Sequence, residues 1–165
     1  MSSTLPYDKV TEDAVLGSVI TNEGEYEAVS KYFTNVEVFY QSAAKLLWKK
    51  VGRMKRNNEK VDTRTVSMSL TQHDENRGLT KYYVVGCTGD TCVSGMTELY
   101  ASKLYDKYLM RQVIVKAEEI KNSALDNTPD IYQTINETHS ILSEILNTRP
   151  TIASDINSVI EDTVE

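Results

Sequence analysis

The residues in this sequence best suited to binding a metal are two cysteines and two histidines. Cys87 and Cys92 are the only cysteines, and they are spaced C-x4-C in a segment rich in Gly, Thr and Asp. A structural zinc site normally takes four ligands, and His73 and His139 lie on separate predicted elements without ligand-type spacing. We therefore predict two free thiols and no metal site.

The sequence lacks the motifs of nucleotide binding and catalysis. None of its seven glycines belongs to a phosphate-binding loop of the form G-x-x-x-x-G-K-[ST]. No neighbouring histidine is placed to activate Cys87, and Glu118 and Glu119 occupy adjacent helical positions that face different ways. We predict that this chain is not an enzyme and holds no cofactor.

A cluster of basic residues lies at the end of the third predicted helix, which begins at Ser42. Cations are favourable near a helix C-terminus because of the helix dipole, and this placement together with a solvated face explains most of such a run. The alternative is a contact with a phosphate or with an acidic partner. The candidate partner patch consists of Lys49, Lys50, Arg53, Lys55 and Arg56.

The composition predicts a folded protein that is neither a general nucleic-acid binder nor a membrane protein. The 165 residues are 40% hydrophobic, which is enough for a core. The net charge of -6 provides no surplus of Lys and Arg for phosphates. No run approaches the roughly 18 apolar residues of a membrane span, and the N-terminus lacks a secretory leader. We expect a cytoplasmic protein.

Residues 1–96 predict a head of short helices. Thr11 is the predicted cap of the first helix. Gly17, inside that helix, indicates either the close crossing of another helix or a tolerated defect. Trp48 is predicted to lie in the core. Further helices are predicted over 25–33, from Ser42 and over 64–72, with a short helix or turn over 79–85 and loops over 73–78 and 86–95.

Residues 97–147 predict a long antiparallel helical hairpin. The first helix has one apolar side and leaves Lys103, Lys107 and Arg111 for water. Thr128 and Pro129 begin a second helix whose apolar residues follow a heptad rhythm. A first arm of roughly 40 Å, at about 1.5 Å per residue, exceeds what one small core needs. The residues predicted to self-associate are Leu104, Tyr108, Val113, Ile131, Ile135, Leu142 and Ile145.

Residues 148–165 predict a linker followed by a short amphipathic helix. Pro150 separates this segment from the hairpin. We expect its apolar side to dock outside its own domain, through Ile152, Ile156, Val159 and Ile160. The predicted fold class is therefore all-α, with a helical head, a hairpin and a linker helix.

Taken in order, these segments resemble the N-terminal domain of DnaB-type replicative helicases. The run from Glu12 to Ser18 resembles the E-x-A-V-L-G-S pattern of the opening helix of that family. The resemblance extends from Pro6 to about Val164, and it departs at the single Gly78 and in the segment 87–92. The later matching motifs are Phe39-Tyr40, Lys60-Val61-Asp62, Thr65-Val66 with Leu70, Leu79 with Tyr82, and Tyr100-Ala101 with Arg111.

The resemblance implies a collar domain whose ATPase motor, with its ATP and Mg²⁺, lies beyond Glu165. In that family the hairpins pair and the dimers build a hexamer. The C-terminal domain of primase docks on the collar, helicase loaders act on nearby surfaces, and the linker helix contacts the neighbouring ATPase domain. DNA contact would be indirect. The alternatives are a stand-alone helical adaptor or phage-type replication-modulating protein that mimics this domain, and an unrelated helical interaction domain.

Overall fold

A computed structural model describes residues 5–93, 95–125 and 131–147, and every regular element within these ranges is helical. The predicted all-α class is confirmed. A 3₁₀ turn occupies Val36–Val38. The α-helices are α1 (Lys9–Thr21), α2 (Glu25–Ser30), α3 (Ser42–Arg56), α4 (Thr63–Met68), α5 (Gln72–Asn76), α6 (Lys81–Gly89), α7 (Thr97–Leu125) and α8 (Ile131–Asn147).

The chain divides into two compact units, residues 1–117 and 118–165. The first unit contains α1 to α6 and most of α7, and the second contains the end of α7 together with α8. The predicted cap at Thr128 and Pro129 and the predicted linker helix with Ile152, Ile156, Val159 and Ile160 lie outside the described residues.

The core of the first unit forms where α1 packs against α6 and α3. Val15, Leu16 and Val19 of α1 are fully or almost fully buried. Gly17 faces the backbone of α6 at Cys87, so the close crossing of another helix is the right one of the two explanations for this glycine. A side chain at position 17 would hold the two helices apart.

Trp48 is buried in α3, as predicted. Its ring contacts Phe33 and Phe39, with ring centroids 5.0 and 5.8 Å away. The indole Nε1–H donates a hydrogen bond to the Phe33 carbonyl oxygen at 3.2 Å, which satisfies the only polar atom of the ring. This aromatic cluster fixes α3 against the segment that precedes it.

The predicted cap of α1 is wrong, because Asp8 caps the helix in place of Thr11. The Asp8 carboxylate accepts hydrogen bonds from the Thr11 backbone N–H at 3.0 Å and from the Thr11 hydroxyl at 2.8 Å. These bonds lower the pKa of Asp8. A carboxylate is favoured here because the N-terminal end of the helix dipole is positive.

Two predicted loops, 73–78 and 86–95, are helical in part. Residues 72–76 form α5, which begins with a capping box between Thr71 and Asp74. α6 continues through Gly86 to Gly89, because its buried residues Val84 and Cys87 pack inward one turn apart. Burial against the core outweighs the low helix propensity of the two glycines.

The predicted solvent exposure of Arg111 in α7 is also wrong. Its side chain is only 6% exposed. The guanidinium donates to the carbonyl oxygens of Pro6 at 2.9 Å, Glu37 at 2.9 Å and Val38 at 2.7 Å. These three acceptors make burial of the cation tolerable, although desolvation lowers its pKa.

Candidate functional site

The exposed face of α3 carries three basic residues with unsatisfied charge. Lys49, Arg53 and Arg56 are exposed and spaced four and three residues apart, which places them along one side of the helix. None of their side chains forms an ion pair or a hydrogen bond with the residues that the structure describes. We call these three residues the α3 cationic row. They are three of the five residues in the predicted patch.

Lys50 does not belong to this exposed row, and its inclusion in the predicted patch is wrong. The side chain is buried, and Nζ lies 2.8 Å from Asp74 Oδ2 and 2.9 Å from the Ser69 carbonyl oxygen. Consecutive helical residues are rotated by about 100°, so Lys50 can reach Asp74 and Ser69 while Lys49 stays exposed. The ion pair ties α3 to α5 and lowers the pKa of Asp74 to about 2.

Lys55 is half-buried and already has partners. Its Nζ lies 3.4 Å from a Glu27 carboxylate oxygen and 5.9 Å from the centroid of the Tyr26 ring. Its charge therefore has a carboxylate partner within the domain, unlike the charges of the α3 cationic row.

The α3 cationic row borders an open cleft of about 800 Å³. One wall includes the stacked rings of Tyr26 and Trp48, whose centroids are 4.8 Å apart. Tyr26 packs directly over Gly52, since a Cβ there would lie 2.9 Å from the tyrosine hydroxyl. The cleft thus combines aromatic surface with free positive charge. The α3 residues Lys49, Lys50, Gly52, Arg53 and Arg56 also line it, together with Val36, Leu46 and Asp74.

The predicted self-association residues of α7 have different exposures. Leu104 is buried in the core, so its assignment to a self-association surface is wrong. Tyr108 is half-buried, and its hydroxyl oxygen accepts a hydrogen bond from Asn35 at 3.0 Å. Only Val113 of the three is substantially exposed, at 44%.

The sequence interpretation missed two exposed residues beside Val113. Met110 and Ile114 are 50% and 41% exposed, and with Val113 and Ala117 they occupy spacings of three, one and three residues. Such spacing gives one continuous apolar stripe on a helix. The spacing of these residues is visible in the sequence. It was missed because the apolar stripe that begins at Leu104 was assumed to continue along the whole of α7.

In α8, two of the predicted residues are exposed. Ile135 is 55% exposed and Leu142 is 43% exposed, whereas Ile145 is half-buried. The helix itself begins at Ile131. Exposed apolar residues at such spacing form a surface able to pack against another helix.

No group of three or more His, Cys, Asp or Glu side chains converges on a possible metal position within the described residues. Both cysteines are free thiols, with Cys87 buried and Cys92 half-buried. Among the helices of the described ranges, none has the length and apolar character needed to cross a bilayer.

Residues 4–106 match the DnaB-like helicase N terminal domain family. The match covers more than half of the chain and includes α1 to α6 and the first part of α7. This chain belongs to that family, whose domain is part of a replicative helicase. No curated protein sequence matches the chain.

Two solved structures share the fold. The crystal structure of the N-terminal domain of DnaB helicase from Mycobacterium tuberculosis superposes with a TM-score of 0.75 at 16% identity, covering 86% of this chain and 99% of that one. A DnaB-like replicative helicase described with its interactions with primase gives a TM-score of 0.66 at 17% identity. That match covers 94% of this chain but only 34% of the helicase, so the chain spans about a third of its length.

Proposed function

We propose that this chain is the collar domain of a hexameric replicative helicase, which holds subunits together and docks primase during DNA replication. The observation that carries the self-association part is the apolar stripe Met110, Val113 and Ile114 on α7, together with Ile135 and Leu142 on α8. An exposed apolar stripe on a helix marks an interaction site, and each of the two helices offers one. Dimers formed in this way would build the hexamer.

Light scattering over a concentration series tests self-association of the full 165-residue chain. We expect dimers or larger species for the wild type. We expect monomers for Val113→Asp combined with Ile114→Asp, and for Ile135→Asp combined with Leu142→Asp. A wild type that stays monomeric at its highest attainable concentration would contradict the proposal.

A matched control separates loss of this surface from a general effect of added charge. Met68 and Tyr82 are 74% and 89% exposed on α4 and α6. Changing both to Asp adds the same charge away from α7 and α8, and should leave the association unchanged. Circular dichroism of each variant establishes that its helices remain folded.

Primase docking is supported by family membership and by the reported primase interactions of the DnaB-like helicase with this fold. We propose that the helical C-terminal domain of the cognate primase binds this chain, with a helicase loader as a further partner. Isothermal titration of that primase domain into the chain should give saturable binding. Absence of binding at low and moderate salt would favour a different partner.

ATP turnover belongs, in this proposal, to a motor domain outside the chain, which would also hold Mg²⁺. Ile152, Ile156, Val159 and Ile160 are proposed to contact the ATPase domain of the neighbouring subunit. The purified chain should show no ATPase activity above background. Turnover that copurifies with the chain through successive columns would contradict this assignment.

A further inference from the structure

We infer that the cleft beside α3 binds an acidic peptide segment of a partner protein, in which carboxylates are interspersed with apolar side chains. The inference rests on the proposed docking function and specifies the chemistry of the segment that is recognised. It follows from the charge, the shape and the lining of the cleft.

The positive charges beside the cleft that lack a carboxylate partner among the described residues are those of the α3 cationic row. Lys50 and Lys55, the other two cations near it, are paired with Asp74 and Glu27. Arg53 and Arg56 each present a guanidinium that can bind a carboxylate through two parallel hydrogen bonds. The row therefore matches a ligand with two or three carboxylates at helical or extended spacing.

The lining of the cleft favours a ligand that carries apolar side chains as well as negative charge. The stacked rings of Tyr26 and Trp48 and the half-buried side chains of Leu46 and Val36 form apolar surface beside the cations. An apolar or aromatic side chain placed between two acids would cover this surface while the acids reach Arg53 and Arg56. Aromatic residues and arginine are the side chains that most often dominate binding energy at protein interfaces.

A peptide fits this site better than a nucleic acid does. The whole chain carries a net charge of -6, which opposes a polyanion at longer range. Only three cations are available, and sequence-independent affinity for nucleic acid scales with the number of phosphates neutralised. A short segment with two or three acids gains the same local contacts without the long-range repulsion.

Trp48 provides a local reporter because it is the only tryptophan of the chain and it lines the cleft. The probe is a synthetic peptide of about fourteen residues in which Glu alternates with Leu and Phe. Two comparison ligands are the same peptide with every Glu replaced by Gln, and a single-stranded dT oligomer of equal length. We expect only the acidic peptide to change Trp48 fluorescence saturably, and its affinity to fall as salt is raised, because exposed ion pairs are screened.

The variant that tests the site combines Lys49→Glu, Arg53→Glu and Arg56→Glu. Its affinity for the acidic peptide should fall by at least about tenfold, because each reversal replaces attraction with repulsion. The matched control combines Arg64→Glu, Lys81→Glu and Lys103→Glu, three exposed positions that do not line the cleft. The control changes the net charge equally and should keep its affinity within about twofold, since screened distant charges contribute little.

Three results would overturn the inference: equal binding of the glutamine peptide, equal loss of affinity in both triple variants, or binding of the dT oligomer alone. Urea unfolding of both variants establishes that they are folded. If the primase domain binds the cleft variant as tightly as the wild type, the cleft assignment fails while the docking function stands. If the acidic peptide binds at the cleft but neither primase nor self-association is detected, the proposed function fails while the cleft assignment stands.

Discussion

Gly17 of α1 and Cys87 of α6 bring the backbones of two helices into direct contact, since a Cβ at Gly17 would lie 1.9 Å from the Cys87 carbonyl oxygen. No rotamer change relieves such an overlap, because the obstructing atom belongs to the backbone. We expect Gly17→Ala to lower the free energy of unfolding by about 3 kcal/mol, at the upper end of the usual cost of overpacking. Urea denaturation followed by Trp48 fluorescence measures the change.

Gly86 is the matched control for this prediction. It lies in α6 next to Cys87, but a Cβ there would meet no atom within 4 Å. Gly86→Ala should raise the stability by about 0.5 to 1 kcal/mol, because alanine has less conformational entropy to lose in a helix. Similar losses for both variants would show that the loss at position 17 is not specific to its contact with α6.

Replacing Arg111 should destabilise the first unit strongly. Arg111→Met keeps most of the side-chain volume but leaves the carbonyl oxygens of Pro6, Glu37 and Val38 without their charged donor. Hydrogen bonds to charged groups contribute about 1.5 to 3 kcal/mol each, and losses within one network are not additive. We expect a loss of about 3 kcal/mol in urea denaturation.

Lys103→Met is the corresponding control on the same helix. Lys103 is exposed, and its only described contact is with the Tyr100 ring at 5.5 Å. Its replacement should change the stability by less than about 0.5 kcal/mol. A loss for Arg111→Met as small as that of Lys103→Met would mean that the carbonyl oxygens find water as an equivalent partner.

The Lys50 and Asp74 ion pair predicts a pH dependence with a definite sign. Its proximity to Lys50 lowers the pKa of Asp74 from an ordinary value of 3.8 to about 2. The folded state therefore favours the carboxylate, and this stabilisation is complete above about pH 4 and is lost as the pH falls through about 2. Asp74→Asn should be less stable than the wild type by about 1 to 2 kcal/mol at pH 6.

The same two proteins should converge in stability at about pH 2, where Asp74 of the wild type becomes protonated. Denaturation at several pH values between 2 and 6 measures the difference. The pKa of Glu12 shifts in the opposite direction, because burial raises it and so disfavours the carboxylate in the folded state. A difference between Asp74→Asn and the wild type that is independent of pH would show that the ion pair contributes no titratable stabilisation.

The two cysteines should react at very different rates with an alkylating reagent. Burial raises the pKa of the Cys87 thiol to about 12, and its Sγ lies 3.8 Å from an Asp13 carboxylate oxygen that further disfavours the thiolate. Since the thiolate is the reactive form, iodoacetamide at pH 8 should modify Cys92 well before Cys87. Peptide mass spectrometry distinguishes the sites, and equal reaction in urea provides the control. Rapid modification of Cys87 in the native protein would contradict the buried environment.

The sequence predicted the helical class and most of the helix positions because these depend on local periodicity. The burial of Trp48 was also predictable from its size and apolar character, whereas Gly17 left a close helix crossing and a tolerated defect open. The position of Asp8 as the cap was not predicted, because Asp8 and Thr11 are both good capping residues and lie only three positions apart. Only the observed hydrogen bonds distinguish the two.

The candidate site was less predictable, because burial of a charged side chain depends on partners distant in the sequence. Lys49 and Lys50 are chemically identical neighbours, yet Asp74 and Ser69 bury one of them and leave the other in solvent. The burial of Arg111 also depends on distant partners, since its three acceptors lie more than seventy residues away in the sequence. The spacing of residues within a helix does not reveal which charged side chains find such distant partners.

Arg111 joins parts of the chain that are far apart in sequence, and this has a consequence for the rate of unfolding. Its acceptors are separated from it by 105, 74 and 73 residues. Such distant contacts require much of the chain to be ordered first, so we expect them to form after the folding transition state. Arg111→Met should then speed unfolding by roughly a hundredfold while leaving the folding rate almost unchanged. In stopped-flow measurements only the unfolding arm of the chevron should move, which would make Arg111 a determinant of how long each folded molecule persists.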